Sequence, residues 1–234
     1  AEPNIALNTI MAEELRKFAD ILEKAEDFDK ALHDLVCEAF TRHQRILFDG
    51  NGYSEEWKLE AAQRGLSNLP STADCLPTYT SEKNIDLVVR HGIFTETELR
   101  ARQTIHFEAY NKTVGIEART MMDMAVHQIL PAALRYSRDL CDSITKKSGL
   151  YLSVKAESSI LEKLSVATEA LYDHVETLRF SLSAVPKEPQ TAAGYYRTVI
   201  IPAMEAVRRE ADILEALTDK SYWPYPTYSD LLYY

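Results

Sequence analysis

Glycine and proline are scarce in this chain of 234 residues, where 7 glycines and 9 prolines leave few places for tight turns. The period-2 alternation of half-buried strands is missing as well, while Ala, Leu, Glu and Lys are abundant, so the expected class is all-α. Cysteine is scarcer still. Cys37, Cys75 and Cys141 are odd in number and far apart, which offers neither a disulfide framework nor a CxxC metal knuckle and fits a reducing cytoplasm. No apolar run nears the eighteen or so residues of a membrane span, and the N-terminus lacks the basic-then-apolar order of a signal peptide. Positive charge is short too: 26 basic residues against 36 acidic ones give a net charge of -10, which repels phosphate backbones and anionic membranes. Neither nucleic acid nor membrane is expected as a partner.

The familiar motifs of helical enzymes are absent as well. No E-x-x-H occurs, which removes the di-iron bundle, and neither H-E-x-x-H nor G-x-S-x-G is found. Asp123 and His127 stand four apart and could share a proton or a metal, although one such pair reads first as a surface ion pair. Glu108, Glu117 and Asp123 have no matching histidine set and read as solvated or salt-bridged positions. His33 and His43 lie ten residues apart with no carboxylate at metal-motif spacing. The loop Asp49-Gly50-Asn51-Gly52 lacks the lysine and the following Ser/Thr of a phosphate-binding loop, and no strand precedes it. The residues alone therefore assign no catalytic, cofactor-binding or metal position.

What is present is helix. Thr95-Glu96-Thr97-Glu98 is a capping box, Lys146 and Lys147 suit a helix C-terminus, and Gly149 is expected to close the helix in the left-handed conformation. A rod from Thr95 to Gly149 would span roughly 75 Å if straight. Gly115 and Pro131 are its flaws, costing about 1 and 3 kcal/mol, and a kink is expected within one turn of Pro131. Tyr110, Val114, Met121, Met124 and Ala125, then Leu134, Leu140 and Ile144, form its core stripe, with a functional methionine surface as the alternative.

Around this rod other helices are expected. Pro3 and Asn4 start the first at once, with Met11, Leu15, Phe18 and Leu22 as its buried stripe. Asp27 or Asp29 caps a second, antiparallel to the first, which should bury Leu32, Leu35, Val36, Phe40 and Leu47. Ser54 caps a third, anchored by Trp57 and stopped by Gly65. Residues 66–80 read as irregular, and a short helix from Glu82 to Arg90 ends at Gly92. From Ser158 to Ser183 the stripe Ile160, Leu164, Ala167, Leu171, Val175, Leu178 and Leu182 repeats like a straight helix. Pro186 and Pro189 turn the chain into a partner helix, Thr191 to Thr218, which carries Val199, Ala203, Val207, Leu214 and Leu217 and a second kink at Pro202. The aromatic, proline-rich tail Tyr222 to Tyr228 docks as an extended strap, or onto another subunit. The expected organisation is a single helical domain over residues 1–234, with helices around the rod in 1–149 and a hairpin plus tail in 150–234. The opening Ala1-Glu2-Pro3-Asn4, without an initiator Met, reads as an internal cut.

Several stretches carry a family resemblance. FDGNGYSEEW (Phe48 to Trp57), AAQRGLSNLPSTADCLP (Ala61 to Pro77), EKNIDL (Glu82 to Leu87) and TVGIEARTMMDMAVHQILPAALRY (Thr113 to Tyr136) resemble the C-terminal region of the type III glutamine synthetases. The opening EPNIALNTIMAEEL and the closing WPYPTYSDLL extend the resemblance over essentially the whole chain, and Cys75 departs from the alanine expected at its position. The resemblance implies a parent enzyme that joins ammonia to glutamate with ATP and Mg2+ or Mn2+, through a γ-glutamyl phosphate. It also implies that the metal, ATP and substrate contacts lie on a β-rich core upstream of Ala1, so no catalytic residue transfers to this sequence. The implied partners are that core and other copies of the same subunit in a homo-oligomer. The alternative is a free-standing cytoplasmic helical interaction protein related to that region.

Overall fold

The computed structural model describes residues 2–232, and of Tyr228 the backbone alone. The fold is all-α: 79% of the described residues are helical, and no strand forms among them. Packing divides the chain into two compact units, residues 1–104 and 105–234. The division falls inside α6, the first part of the long helix.

The first unit holds α1 (Glu2–Leu22), α2 (Phe28–Arg42), α3 (Glu55–Gln63), α4 (Thr72–Tyr79), α5 (Glu82–Arg90) and the first turns of α6 (Glu96–Met124). Local chemistry sets its boundaries. The Asp27 carboxylate accepts the Lys30 N–H at 3.0 Å, and the Ser54 hydroxyl accepts that of Trp57 at 3.2 Å. Gly65 and Gly92, at φ +70° and +64°, take the left-handed conformation that ends α3 and α5. At the start of α6 the Thr95 hydroxyl accepts from the Glu98 N–H at 3.2 Å, and the Glu98 carboxylate accepts from the Thr95 N–H at 2.8 Å. The expected irregular stretch is wrong in part, because α4 forms inside it with Pro77 in its interior. Ser71 caps that helix by accepting the Asp74 N–H at 3.2 Å and donating its hydroxyl to the Asp74 carboxylate at 2.8 Å, which offsets the amide that Pro77 lacks.

The second unit comprises the rest of α6, α7 (Leu130–Gly149), α8 (Lys155–Ser183), α9 (Pro189–Tyr195), α10 (Ile201–Leu217) and α11 (Tyr228–Leu232). Its core is the α8 stripe: Leu164, Leu171, Val175 and Leu178 have no exposed surface, and α8 packs most extensively against α7 and α10. At about 25 cal/mol per Å² of apolar surface, such fully buried side chains each contribute roughly 1.5–3 kcal/mol. The hairpin across Pro186 and Pro189 forms as the sequence reading places it.

The two prolines within the long helices of this unit, Pro131 and Pro202, are accommodated alike. A π-helical turn, Ala125–Ile129, precedes Leu130-Pro131, and another, Tyr196–Ile200, precedes Ile201-Pro202. In the first the Leu130 N–H reaches back to the Ala125 carbonyl, and in the second the Ile201 N–H reaches back to that of Tyr196. The wider turn relieves the crowding that the proline ring imposes on the preceding carbonyls without ending the helix. The regular helix is thus interrupted where the prolines predict. The extra residue also rotates the helix beyond it: Leu134, placed in the core by spacing, is 58% exposed, while Ile129, Leu130, Ala132 and Ala133 are buried.

Gly149 does not close α7. It is the last helical residue, and Tyr151 instead takes the left-handed conformation at φ 57°.

The tail docks as a strap. The Tyr222 hydroxyl donates to the Asp139 carboxylate, its ring lies 5.2 Å from that of Tyr136, and Trp223 and Tyr225 pack on the core. The expected role of the Tyr228 side chain lies outside the described residues.

Candidate functional site

The pair with the best claim to chemistry is a surface pair. His127 sits on the first π-helical turn, its Nδ1 lies 2.8 Å from the Asp123 Oδ1, and both side chains are about two-thirds exposed. Water screens such an interaction. Glu108 and Glu117 are exposed as well. Among the described residues no three His, Cys, Asp or Glu side chains group closely enough to hold a metal ion. One exposed carboxylate and one imidazole do not fit Mg2+, which takes oxygen ligands in octahedral geometry.

The glycine-containing loop is structural. Phe48 stacks on Trp57 with ring centroids 3.9 Å apart, and Arg64 lies 5.4 Å from the Trp57 centroid. The same guanidinium donates to the Leu47 carbonyl at 2.7 Å and pairs with Glu60. A Cβ at Gly50 would lie 2.7 Å from the Phe48 ring, so glycine is needed there for close approach. His33 lies 3.6 Å from the Cys37 Sγ on the exposed face of α2, and His43 follows the end of that helix. The structure does not bring the two histidines together.

One ionic cluster escapes the sequence reading entirely. Glu13 of α1 is 5% exposed, and its carboxylate meets Arg90 Nη1 and, at 2.7 Å, His91 Nε2. Arg16 and Lys17 approach it from its own helix. The hydrogen bond from His91 leads in holding the Glu13 carboxyl down to about 2, and Arg16 and Arg90 add to it. Glu13 and His91 are 78 positions apart, and no local pattern relates them.

That cluster has a consequence for α1. The face turned inward carries Thr9 and Glu13, and the stripe predicted to be buried is turned out: Met11 is 59% exposed and Leu15 60%, with Phe18 and Leu22 half-buried. The second helix repeats this, since Leu32 is 39% exposed, Val36 45% and Phe40 62%, and Leu47, which lies beyond the end of α2, is 51% exposed. The expected burial of these residues is therefore corrected within this chain. Amphipathic spacing finds the apolar face correctly but does not say what covers it.

Sequence comparison places this geometry among known proteins. The pattern of the glutamine synthetase C-terminal domain matches residues 31–148, just over half of the chain. A type-3 glutamine synthetase of Dictyostelium discoideum is 33% identical over 246 residues, covering 99% of this chain and 33% of that protein. A glutamine synthetase of Butyrivibrio fibrisolvens is 33% identical over 212 residues, 89% of this chain and 30% of its own. One from Bacteroides fragilis (strain YCH46) is 29% identical over 242 residues, with 98% and 33% covered. The chain spans about a third of the length of these curated relatives. It belongs to the glutamine synthetase C-terminal domain family.

Proposed function

We propose that this chain is the non-catalytic helical part of a type III glutamine synthetase, and that it serves to assemble the enzyme. The parent reaction joins ammonia to glutamate at the expense of ATP with Mg2+ or Mn2+, in the cytoplasm, on residues outside this sequence. The observation that carries the assembly role is the apolar face of α1 and α2, which the described residues leave largely uncovered. Burying such side chains contributes roughly 1.5–3 kcal/mol each, so a face of this kind is a docking surface for the catalytic core or for another subunit. The length of the relatives supports this reading, because two-thirds of each lies beyond the matched region.

Hydrogen exchange tests it. Amides of α1 and α2 should exchange quickly in the 234-residue chain and slowly when the chain is carried on a protein of the relatives' length. Equal rates in the two would refute the assembly role and leave a free-standing interaction module.

A further inference from the structure

Lys112 and Arg119 of α6 and Lys187 of the turn between α8 and α9 line a cleft of about 360 Å³ in the second unit. None of the three forms an ion pair among the described residues, although the chain carries a net charge of -10. Glu108 is the one carboxylate in the wall. Glu188, next to Lys187, is taken up by the cap of α9, where it accepts the Gln190 N–H at 3.0 Å and the Thr191 N–H at 2.6 Å. The fold holds the cations in place. Arg119 Nη1 donates to the Gly115 carbonyl at 3.0 Å, and the Asn111 side chain ties α6 to the turn by donating to the Pro189 carbonyl at 2.8 Å.

Tyr196 supplies an independent observation. It lines the same cleft and is only 6% exposed, yet its hydroxyl is not shut in and has no hydrogen-bond partner among the described residues. The hydroxyl oxygen and Arg119 Nη1 lie 2.8 and 3.3 Å from the place a Gly115 Cβ would take, so the two donors stand side by side. Tyr196 also opens the second π-helical turn, a distortion frequent at functional sites. Guanidinium and ammonium groups only donate, so the occupant must bring several acceptors. Three cations against one carboxylate leave an excess of two positive charges. A phosphate monoester, at about -1.5 to -2 near neutral pH and with three acceptor oxygens, matches that excess. Val185, Pro186 and Ala192 make the rest of the wall apolar, which suits a small organic group.

We propose that this cleft binds a small phosphomonoester, its phosphate held by Arg119, Lys112, Lys187 and the Tyr196 hydroxyl and its organic part lying on Val185 and Pro186. Magnesium-bound ATP does not suit it, because the ion already takes up phosphate charge. The site is independent of the assembly role, since it uses none of α1 or α2.

The test is calorimetric titration of the intact 234-residue chain with phenyl phosphate at constant ionic strength and about pH 7.5, above the second ionisation of the phosphate. The expected result is saturable binding at one site per chain. Arg119→Gln and Lys112→Gln, which alter exposed side chains and leave the fold intact, should each weaken it about tenfold, and Tyr196→Phe should weaken it severalfold. Lys163→Gln, which removes an exposed cation of α8 outside the cleft, should change nothing. Inorganic phosphate should compete more weakly than phenyl phosphate, and succinate and magnesium-bound ATP should not compete. No saturable binding overturns the proposal, and so does equal weakening by Lys163→Gln and Arg119→Gln, which would report general screening. Succinate binding as tightly overturns the phosphate assignment, and inorganic phosphate binding as tightly overturns the organic part. Competition by magnesium-bound ATP gives the cleft to a nucleotide and overturns the small ligand. Unchanged affinity in Tyr196→Phe overturns the role of the hydroxyl.

Discussion

Gly115 on α6 lies directly beneath the hydroxyl of Tyr196, so close that a Cβ at that position would stand 2.8 Å from the Tyr196 oxygen and 3.5 Å from Cζ. A glycine that costs the helix about 1 kcal/mol is thereby explained by contact with another helix. Tyr196 is 6% exposed and has little room to withdraw. Gly115→Ala should therefore destabilise the chain by about 1 kcal/mol, the cost of overpacking exceeding the gain in helix propensity. In a Tyr196→Phe background the same change should stabilise it. Urea unfolding of the four chains of this cycle measures the reversal, and equal effects in both backgrounds would contradict it.

The start of α6 depends on two reciprocal bonds between Thr95 and Glu98. Thr95→Ala should cost about 1 kcal/mol, and Thr95→Ser nearly nothing, because serine supplies the same oxygen. Thermal unfolding of both variants checks the difference.

This box was legible from four consecutive residues, and the α8 stripe, the ends of α3 and α5 and the helix interruptions at Pro131 and Pro202 were legible as well, because each depends on neighbours within about two turns. Other features depend on residues far apart in the chain. Ser71-Thr72-Ala73-Asp74 carried a readable capping signal for α4, and Pro77 hid it. Gly149 looked like a left-handed stop, but Tyr151 takes that conformation two residues on. The Glu13 cluster joins helices whose sequences share no pattern, and it turns α1 so that its hydrophobic stripe faces out. The family was legible from long matching segments, while what covers that stripe is not written in its spacing.

The Glu13 carboxyl is depressed from 4.5 to about 2 by His91 first, then by Arg16 and Arg90. A folded-state value below the unfolded one means stability that is full above pH 4.5 and is lost as pH falls towards 2. Glu13→Gln should lower stability near neutrality, and the deficit should shrink as pH falls from 4.5 to 2. Denaturant unfolding across that window measures the convergence. A deficit independent of pH would show that Glu13 contributes by packing alone.

The 234-residue chain by itself should make no glutamine and should bind ATP no better than an unrelated acidic helical protein. Phosphoryl transfer needs bridging metal ions and fixed positive groups, which the exposed Asp123 and His127 pair does not supply. A γ-glutamyl transfer assay and an ATP titration, each with magnesium and with manganese, check this. Turnover abolished by Asp123→Asn or His127→Ala would move the active site onto the long helix.

The most direct test of the assembly role places charge on the outward face of the first two helices. Met11→Asp, Leu15→Asp and Phe40→Asp alter side chains that are 59%, 60% and 62% exposed, so each should shift the stability of the 234-residue chain by no more than about 0.5 kcal/mol. In a protein of the relatives' full length, the same triple substitution should lower the mass of the assembled particle in light scattering and reduce its unfolding temperature. An unchanged particle mass and an unchanged unfolding temperature in the substituted long protein would contradict the proposed role.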